Sequence, residues 1–252
     1  MYPEGAGNGR DYAMKSYGNV RALEGEKMVE LLPGKEEVLR VAPAFGRELN
    51  VEGGYVNWGS GWSDAEAAVR FIAEKLQKEG KVSIKTDTDT DVSSLLYGES
   101  NNVTGVSLAN GTNIKADLTI LATGAWTTKL IDLRGRTLST GQALAYMRIS
   151  DEEQARLAHM PTILNFATGI FIIPPRNNLL KIARHGYGYH NPVRVSVPGK
   201  KTNGVMEVSL PEKGVPVPAE GQEAFRDALK QLLPSLADRP FVSTRVCWYT
   251  DT

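Results

Sequence analysis

Residues 110–126 read NGTNIKADLTILATGAW, from Asn110 to Trp126, and this stretch decides the fold class. Asn110-Gly111 sits between two short runs, Val103 to Ala109 and Thr112 to Ala116. The dipeptide suits a type I′ hairpin turn, because both residues tolerate positive φ. Asp117 to Thr123 (DLTILAT) follows as a nearly continuous apolar run, the pattern of a strand covered on both faces. Gly124 then stands at that strand's carboxyl end, where a ligand sits in an open α/β sheet.

The pattern holds on either side. Lys81 to Thr86 predicts another strand, with Val82 and Ile84 on one face. Before it, Ser63 and Glu66 form a capping-box pattern at the start of a helix. Ala65, Ala68, Val69, Ile72 and Leu76 share one face of that helix, and Gly80 supplies a left-handed stop. A second helix is predicted from Ala219 to just before Pro234, with Phe225, Ala228, Leu229 and Leu232 as its buried stripe. The fold class is α/β. Two glycine clusters, Gly5/Gly7/Gly9 and Gly53/Gly54/Gly59/Gly61, lack the strand–turn–helix context of a phosphate loop and read as turn glycines.

Composition narrows the functional classes. The chain has 252 residues, and its 29 Lys+Arg balance 29 Asp+Glu, so nothing in its charge favours a nucleic-acid partner. No apolar run approaches the roughly 20 residues of a membrane span. Met1 to Arg10 has no apolar core and does not read as a signal peptide. A single cysteine, Cys247, and three histidines provide neither an internal disulfide nor a Cys/His cluster for structural zinc. These features predict a soluble, intracellular protein.

Three motifs carry a resemblance. Leu121-Ala122-Thr123-Gly124-Ala125-Trp126 resembles the second flavin-contacting segment of the FAD-dependent amine oxidases in the glycine/sarcosine oxidase (DAO) superfamily. Leu180-Lys181-Ile182-Ala183-Arg184-His185 resembles their active-site strand. Arg245-Val246-Cys247-Trp248-Tyr249-Thr250 is similar to the segment with the flavin-linked cysteine. The closest members are sarcosine, L-pipecolate, saccharopine and fructosyl amino acid oxidases. The resemblance implies part of a Rossmann-type FAD-binding domain interleaved with a mixed-sheet substrate domain. Residues 1–53 and 131–240 would form the substrate domain, 54–130 the partial FAD domain, and 241–252 the flavin-linking segment. The family's opening strand and GxGxxG loop have no counterpart here, so the chain reads as an internal fragment.

The same resemblance assigns roles. Ala122, Thr123, Gly124 and Trp126 would line the cofactor, with Val82 on its adenine side. Lys181 would lie over the flavin and assist its reaction with O2, since a fixed ammonium stabilises negative charge developing on oxygen. His185 would lie beside the substrate, and Phe171 would line its pocket where the sarcosine enzymes carry tyrosine. Lys181, Ala183 and His185 alternate with Ile182 and Arg184, so the first three share a strand face. Cys247 would hold FAD covalently through a thioether, which needs the thiolate. Arg245 lies two residues back on the same strand face.

The implied activity is oxidation of the CH–NH group of a secondary-amine amino acid, giving imine and hydrogen peroxide. Fructosyl amino acid oxidases carry a glutamate where this chain has Ala167-Thr168-Gly169, so pipecolate- or saccharopine-like substrates are favoured. The alternative is a truncated, non-catalytic fragment that does not retain FAD. The partners implied are the small-molecule amine and O2, with no nucleic acid and no membrane. The complete enzyme would be a monomer, cytoplasmic or peroxisomal.

Overall fold

The computed structural model describes residues 1–3, 5, 7–186, 188–199 and 204–251. In chain order the elements are α1 (Asn8–Glu24), β1 (Val29–Leu32), α2 (Lys35–Val41), β2 (Gly54–Asn57), α3 (Ala65–Glu79), β3 (Val92–Tyr97), β4 (Val103–Leu108) and β5 (Asn113–Lys115). Then come α4 (Thr127–Leu130), β6 (Leu138–Arg148), α5 (Asp151–Leu157), β7 (Ile163–Leu164), β8 (Ile170–Arg176) and β9 (Leu179–Arg184). The last four are β10 (Pro192–Ser196), β11 (Val205–Ser209), α6 (Ala219–Leu232) and β12 (Phe241–Asp251).

The first compact unit comprises residues 1–62, 142–188 and 214–247. It is built on the five-stranded sheet ordered β12-β6-β9-β8-β7, and a β1–β2 ladder lies apart from it. One face of the sheet is closed. Ile172, Ile182 and Ala145 lie opposite one another across three strands and are fully buried. Of the predicted α6 stripe, Phe225, Leu229 and Leu232 are buried in the same unit and Ala228 is half-buried. Phe225 meets Phe241 edge-on at 6.1 Å, and the Arg226 guanidinium lies 3.8 Å from the centre of the Phe241 ring. Arg226 also donates to the Ala237 carbonyl at 2.8 Å, which ties α6 to the chain leading into β12.

The β8–β9 turn carries the feature expected at Asn110-Gly111. Asn177 and Asn178 both have positive φ, 53° and 56°, between the paired Arg176 and Leu179, as a type I′ turn requires. Gly169, at φ +71°, meets a different constraint: a Cβ there would lie 1.8 Å from the His185 carbonyl oxygen, so the position admits only glycine.

The second unit comprises residues 63–141, 189–213 and 248–252, with an antiparallel β3-β4-β5 sheet and a β10–β11 hairpin. The predicted β4–β5 hairpin forms, but its turn differs. Only Gly111 has positive φ, +82°, and its amide donates to the Leu108 carbonyl at 3.0 Å, so the loop is three residues ending on a left-handed glycine. α3 is capped by Asp64, which accepts from the Ala67 amide at 3.0 Å, one residue after the expected Ser63. Its end at Gly80, φ +66°, is as predicted.

The two strands expected in this unit do not form. Residues 81–86 and 117–123 pair with no strand among the described residues. Leu118 and Ile120 are 77% and 80% exposed, so DLTILAT is uncovered where burial on both faces was expected. A strand needs a partner ladder for its amides and carbonyls, and apolar side chains cannot supply one.

The compact units divide the chain at residues of their own. Residues 54–62 stay with the first unit because β2 pairs with β1, Gly54 opposite Leu32. Residues 131–141 and 189–213 fall in the second unit, where Gly141 and Tyr189 form an antiparallel bridge. Residues 241–247 belong to the first unit. At the start of the chain, α1 begins within the first glycine cluster, so Gly9 is helical where a turn glycine was expected; no apolar stripe announced this helix, and only Gly9 and Ala13 on it are buried.

Candidate functional site

The sheet of the first unit has a second, more open face. Residues directly opposite across a ladder share a face, and alternate residues along a strand do the same. Leu164 lies opposite Phe171, Phe171 opposite Ala183, and Lys181 opposite Tyr146. Lys181 and Ala183 are two residues apart on β9, so all of these share one face. Lys181, Phe171 and Tyr146 are half-buried there, whereas the alternate residues on β9, Leu180 and Ile182, are fully buried. Arg184, on the closed face, donates to Glu220 Oε2 at 2.8 Å and is committed to a structural pair.

Lys181 and Phe171 are therefore brought together. The Lys181 ammonium stands 5.6 Å from the centre of the Phe171 ring, a cation–π arrangement. The lysine pKa lies below its ordinary value, first because burial strips water from the charge and then because the Arg245 guanidinium repels it. Cys247 acts in the opposite direction and favours the charged lysine. Arg245 and Cys247 thus lie within electrostatic range of Lys181. Cys247 is a free thiol, half-buried on β12, and β12 lies beside β6 at the end of the sheet. His185 follows directly after β9 and is exposed; its amide donates to the Gly169 carbonyl at 2.9 Å.

The other candidates lie in the second unit. Thr123 precedes a 3-10 turn, Gly124 to Trp126, which leads into α4. The Thr127 hydroxyl fastens this turn, donating to the Gly124 carbonyl at 2.7 Å and lying 2.9 Å from the Thr123 hydroxyl. Ser139 donates to the Ala125 carbonyl at 2.6 Å. Ala122, Gly124 and Trp126 are exposed, and a Cβ at Gly124 would meet no atom within 4 Å. Val82 is exposed in the unpaired segment after α3. The segment offers backbone and small side chains on an open edge, which fits an aromatic cofactor approaching closely.

Sequence reading missed two features of the first unit. Tyr146 faces Lys181 across the β6–β9 ladder, and only strand register could have revealed it. The second is a cleft of about 450 Å³ walled by Leu32, Val38, Tyr55, Trp58 and Phe166. The aromatic residues interleaved with the second glycine cluster were its only trace in the sequence. No group of three or more His, Cys, Asp or Glu residues among the described residues could hold a metal ion.

Comparison with known proteins gives a consistent picture. The family described as FAD dependent oxidoreductase (DAO) matches residues 4–252. The L-saccharopine oxidase of Schizosaccharomyces pombe is 25% identical over 258 residues, covering 93% of this chain and 56% of its own. A thermally stable mutant of fructosyl peptide oxidase superposes with a TM-score of 0.89 at 22% identity, covering 100% of this chain and 60% of its own. The fructosamine oxidase of Aspergillus fumigatus (Amadoriase II) superposes with a TM-score of 0.81 at 27% identity, covering 95% and 54%. The chain thus spans little more than half the length of these relatives.

Proposed function

The chain belongs to the FAD dependent oxidoreductase (DAO) family, and from that premise we propose that it serves an oxidase acting on the CH–NH group of a secondary-amine amino acid. The observation that carries this reading is the setting of Lys181, a half-buried cation against Phe171 on the open face of the sheet. A bound FAD would supply the two-electron redox chemistry, as acceptor for the hydride equivalent of the substrate C–H bond and as donor to O2, which would leave as hydrogen peroxide. Lys181 supplies a poorly screened positive charge where negative charge develops on oxygen. His185 and Phe171 would flank the substrate. Ala122, Thr123, Gly124, Trp126 and Val82 would hold the cofactor, and Cys247 would supply the thiol for a thioether link.

The substrates favoured are pipecolate- or saccharopine-like. The fructosyl-type alternative is weakened because Ala167-Thr168-Gly169 carries no carboxylate. No described helix is long and apolar enough to cross a membrane; we place the protein in the cytoplasm or peroxisome and expect a monomer.

The test is stopped-flow kinetics on the FAD-loaded protein. Lys181→Met should slow flavin reoxidation by about 10²-fold or more, while reduction by a secondary amine changes far less. In the unsubstituted protein, reoxidation should be fast while Lys181 is protonated. It should fall as pH rises through a pKa below the ordinary lysine value. Equal losses in both half-reactions would remove Lys181 from oxygen chemistry. Acid precipitation tests the link, since Cys247→Ser should release all flavin into the supernatant.

A further inference from the structure

The cleft between the β1–β2 ladder and β7 takes no part in the chemistry above. Among the described residues no Lys, Arg, Asp or Glu lines it, and its walls are largely apolar or aromatic. The one side chain among its described lining residues that ionises near neutral pH is His159. A carboxylate entering the cleft would lose its hydration and find no cation to replace it, whereas an apolar group would gain by leaving water.

The cleft is connected to the candidate site. Leu164, one of its lining residues, lies directly opposite Phe171, and the Phe171 ring centre stands 5.6 Å from Lys181 Nζ. Directly opposed side chains share a face at about 5 Å between Cβ atoms. One aromatic residue, Phe171, therefore separates Leu164 on the cleft wall from the lysine, a reach on the order of 10 Å.

We propose that this cleft receives the substituent of the substrate amine, and that the substituent is apolar or aromatic rather than a carboxylate-bearing or sugar chain. The proposal rests on the secondary-amine oxidase reading and revises its substrate class. A saccharopine-like amine, whose substituents all carry carboxylates, is set aside in favour of an amine with an apolar substituent. An N-alkyl or N-arylalkyl amino acid would place its amine near the Phe171–Lys181 pair and its apolar group between Tyr55, Trp58 and Phe166. Trp58 is a specificity residue in this arrangement. It is 53% exposed, so removing its ring takes away a wall of the cleft without opening the core.

The experiment is calorimetric titration of the full chain with N-benzylglycine, sarcosine and iminodiacetate, which share the glycine carboxylate and differ only in the amine substituent. N-benzylglycine should bind at least tenfold tighter than the other two. That preference should fall to within about threefold in Trp58→Ala and persist in Trp58→Phe, with circular dichroism verifying the fold of each variant. Equal affinities, a preference for iminodiacetate, no measurable binding of any probe, or a benzyl preference unchanged in Trp58→Ala would each overturn the proposal. Peroxide release by the FAD-loaded protein is a separate readout. Peroxide without benzyl preference defeats the cleft and leaves the oxidase, while benzyl preference without peroxide does the reverse.

Discussion

Helices α3 and α6 are alike in sequence and opposite in circumstance. Each is amphipathic, 14 or 15 residues long, and carries an apolar stripe at helical spacing. In α6 the stripe is buried, with Phe225 and Leu229 fully so. In α3 no residue is buried, and Val69 is 68% exposed. The difference is the presence of a covering surface. A stripe records a capacity for burial, and burial is realised only where another element lies over it. The same contrast runs through the strands: Ile172 and Ile182 are sealed, while Leu118 and Ile120 of a comparably apolar segment stand open.

The contrast can be broken directly. Phe225→Ala should cost about 3–5 kcal/mol in urea denaturation, because it removes a fully buried ring and leaves a cavity. Ile72→Ala, on the apolar side of α3, should change stability by no more than about 0.5 kcal/mol. A loss at Ile72 approaching that at Phe225 would show that α3 is covered in solution and would abolish the comparison.

Charge gives a smaller effect in the first unit. Arg239 donates to Glu153 Oε1 at 2.8 Å, and this contact, with the Ser150 amide, holds the Glu153 carboxyl below its ordinary pKa. A carboxyl whose folded pKa is depressed stabilises the fold above its unfolded value, and the contribution disappears as pH falls through the folded one. Glu153→Gln should therefore cost about 1 kcal/mol at pH 7 and almost nothing near pH 2. A cost that stays constant across a pH series of denaturation curves would assign Glu153 a packing role instead.

What could be read from sequence was what depends on near neighbours. The α6 stripe, the Gly80 stop and the β4–β5 hairpin each follow from residues within a few positions of one another. The turn type at Asn110-Gly111 did not, because three-residue and two-residue loops accept the same dipeptide and ladder register decides between them. α1 was invisible because a helix burying only Gly9 and Ala13 needs no apolar stripe. DLTILAT misled because its composition suits a covered strand, yet among the described residues no strand pairs with it. At the candidate site, the alternation of Lys181 and Ala183 announced a shared face, whereas His185, expected on the same face, lies beyond the end of β9. The contact with Phe171, ten residues away on β8, depended on register, as did Tyr146 and the aromatic cleft.

Capping isolates the smallest difference between the units. α5 begins with a reciprocal box: Ser150 accepts from the Glu153 amide at 3.2 Å, and Glu153 accepts from the Ser150 amide at 2.8 Å. α3 begins at Asp64, which accepts from the Ala67 amide without a reciprocal box. Each serves amides that the first helical turn leaves without partners, so each local contribution is about 1 kcal/mol. The consequences should nevertheless diverge. α5 is joined to the core through fully buried Leu157, so Ser150→Ala should lower global stability by about 1 kcal/mol in urea denaturation. α3 buries nothing, so its first turn can fray while the rest of the unit stays folded. Asp64→Ala should then speed amide hydrogen exchange at Ala67 and its neighbours and leave the urea midpoint almost unmoved. If the midpoint shifts as much as in Ser150→Ala, α3 is coupled to the folded core, and the distinction between the two helices fails at its weakest point.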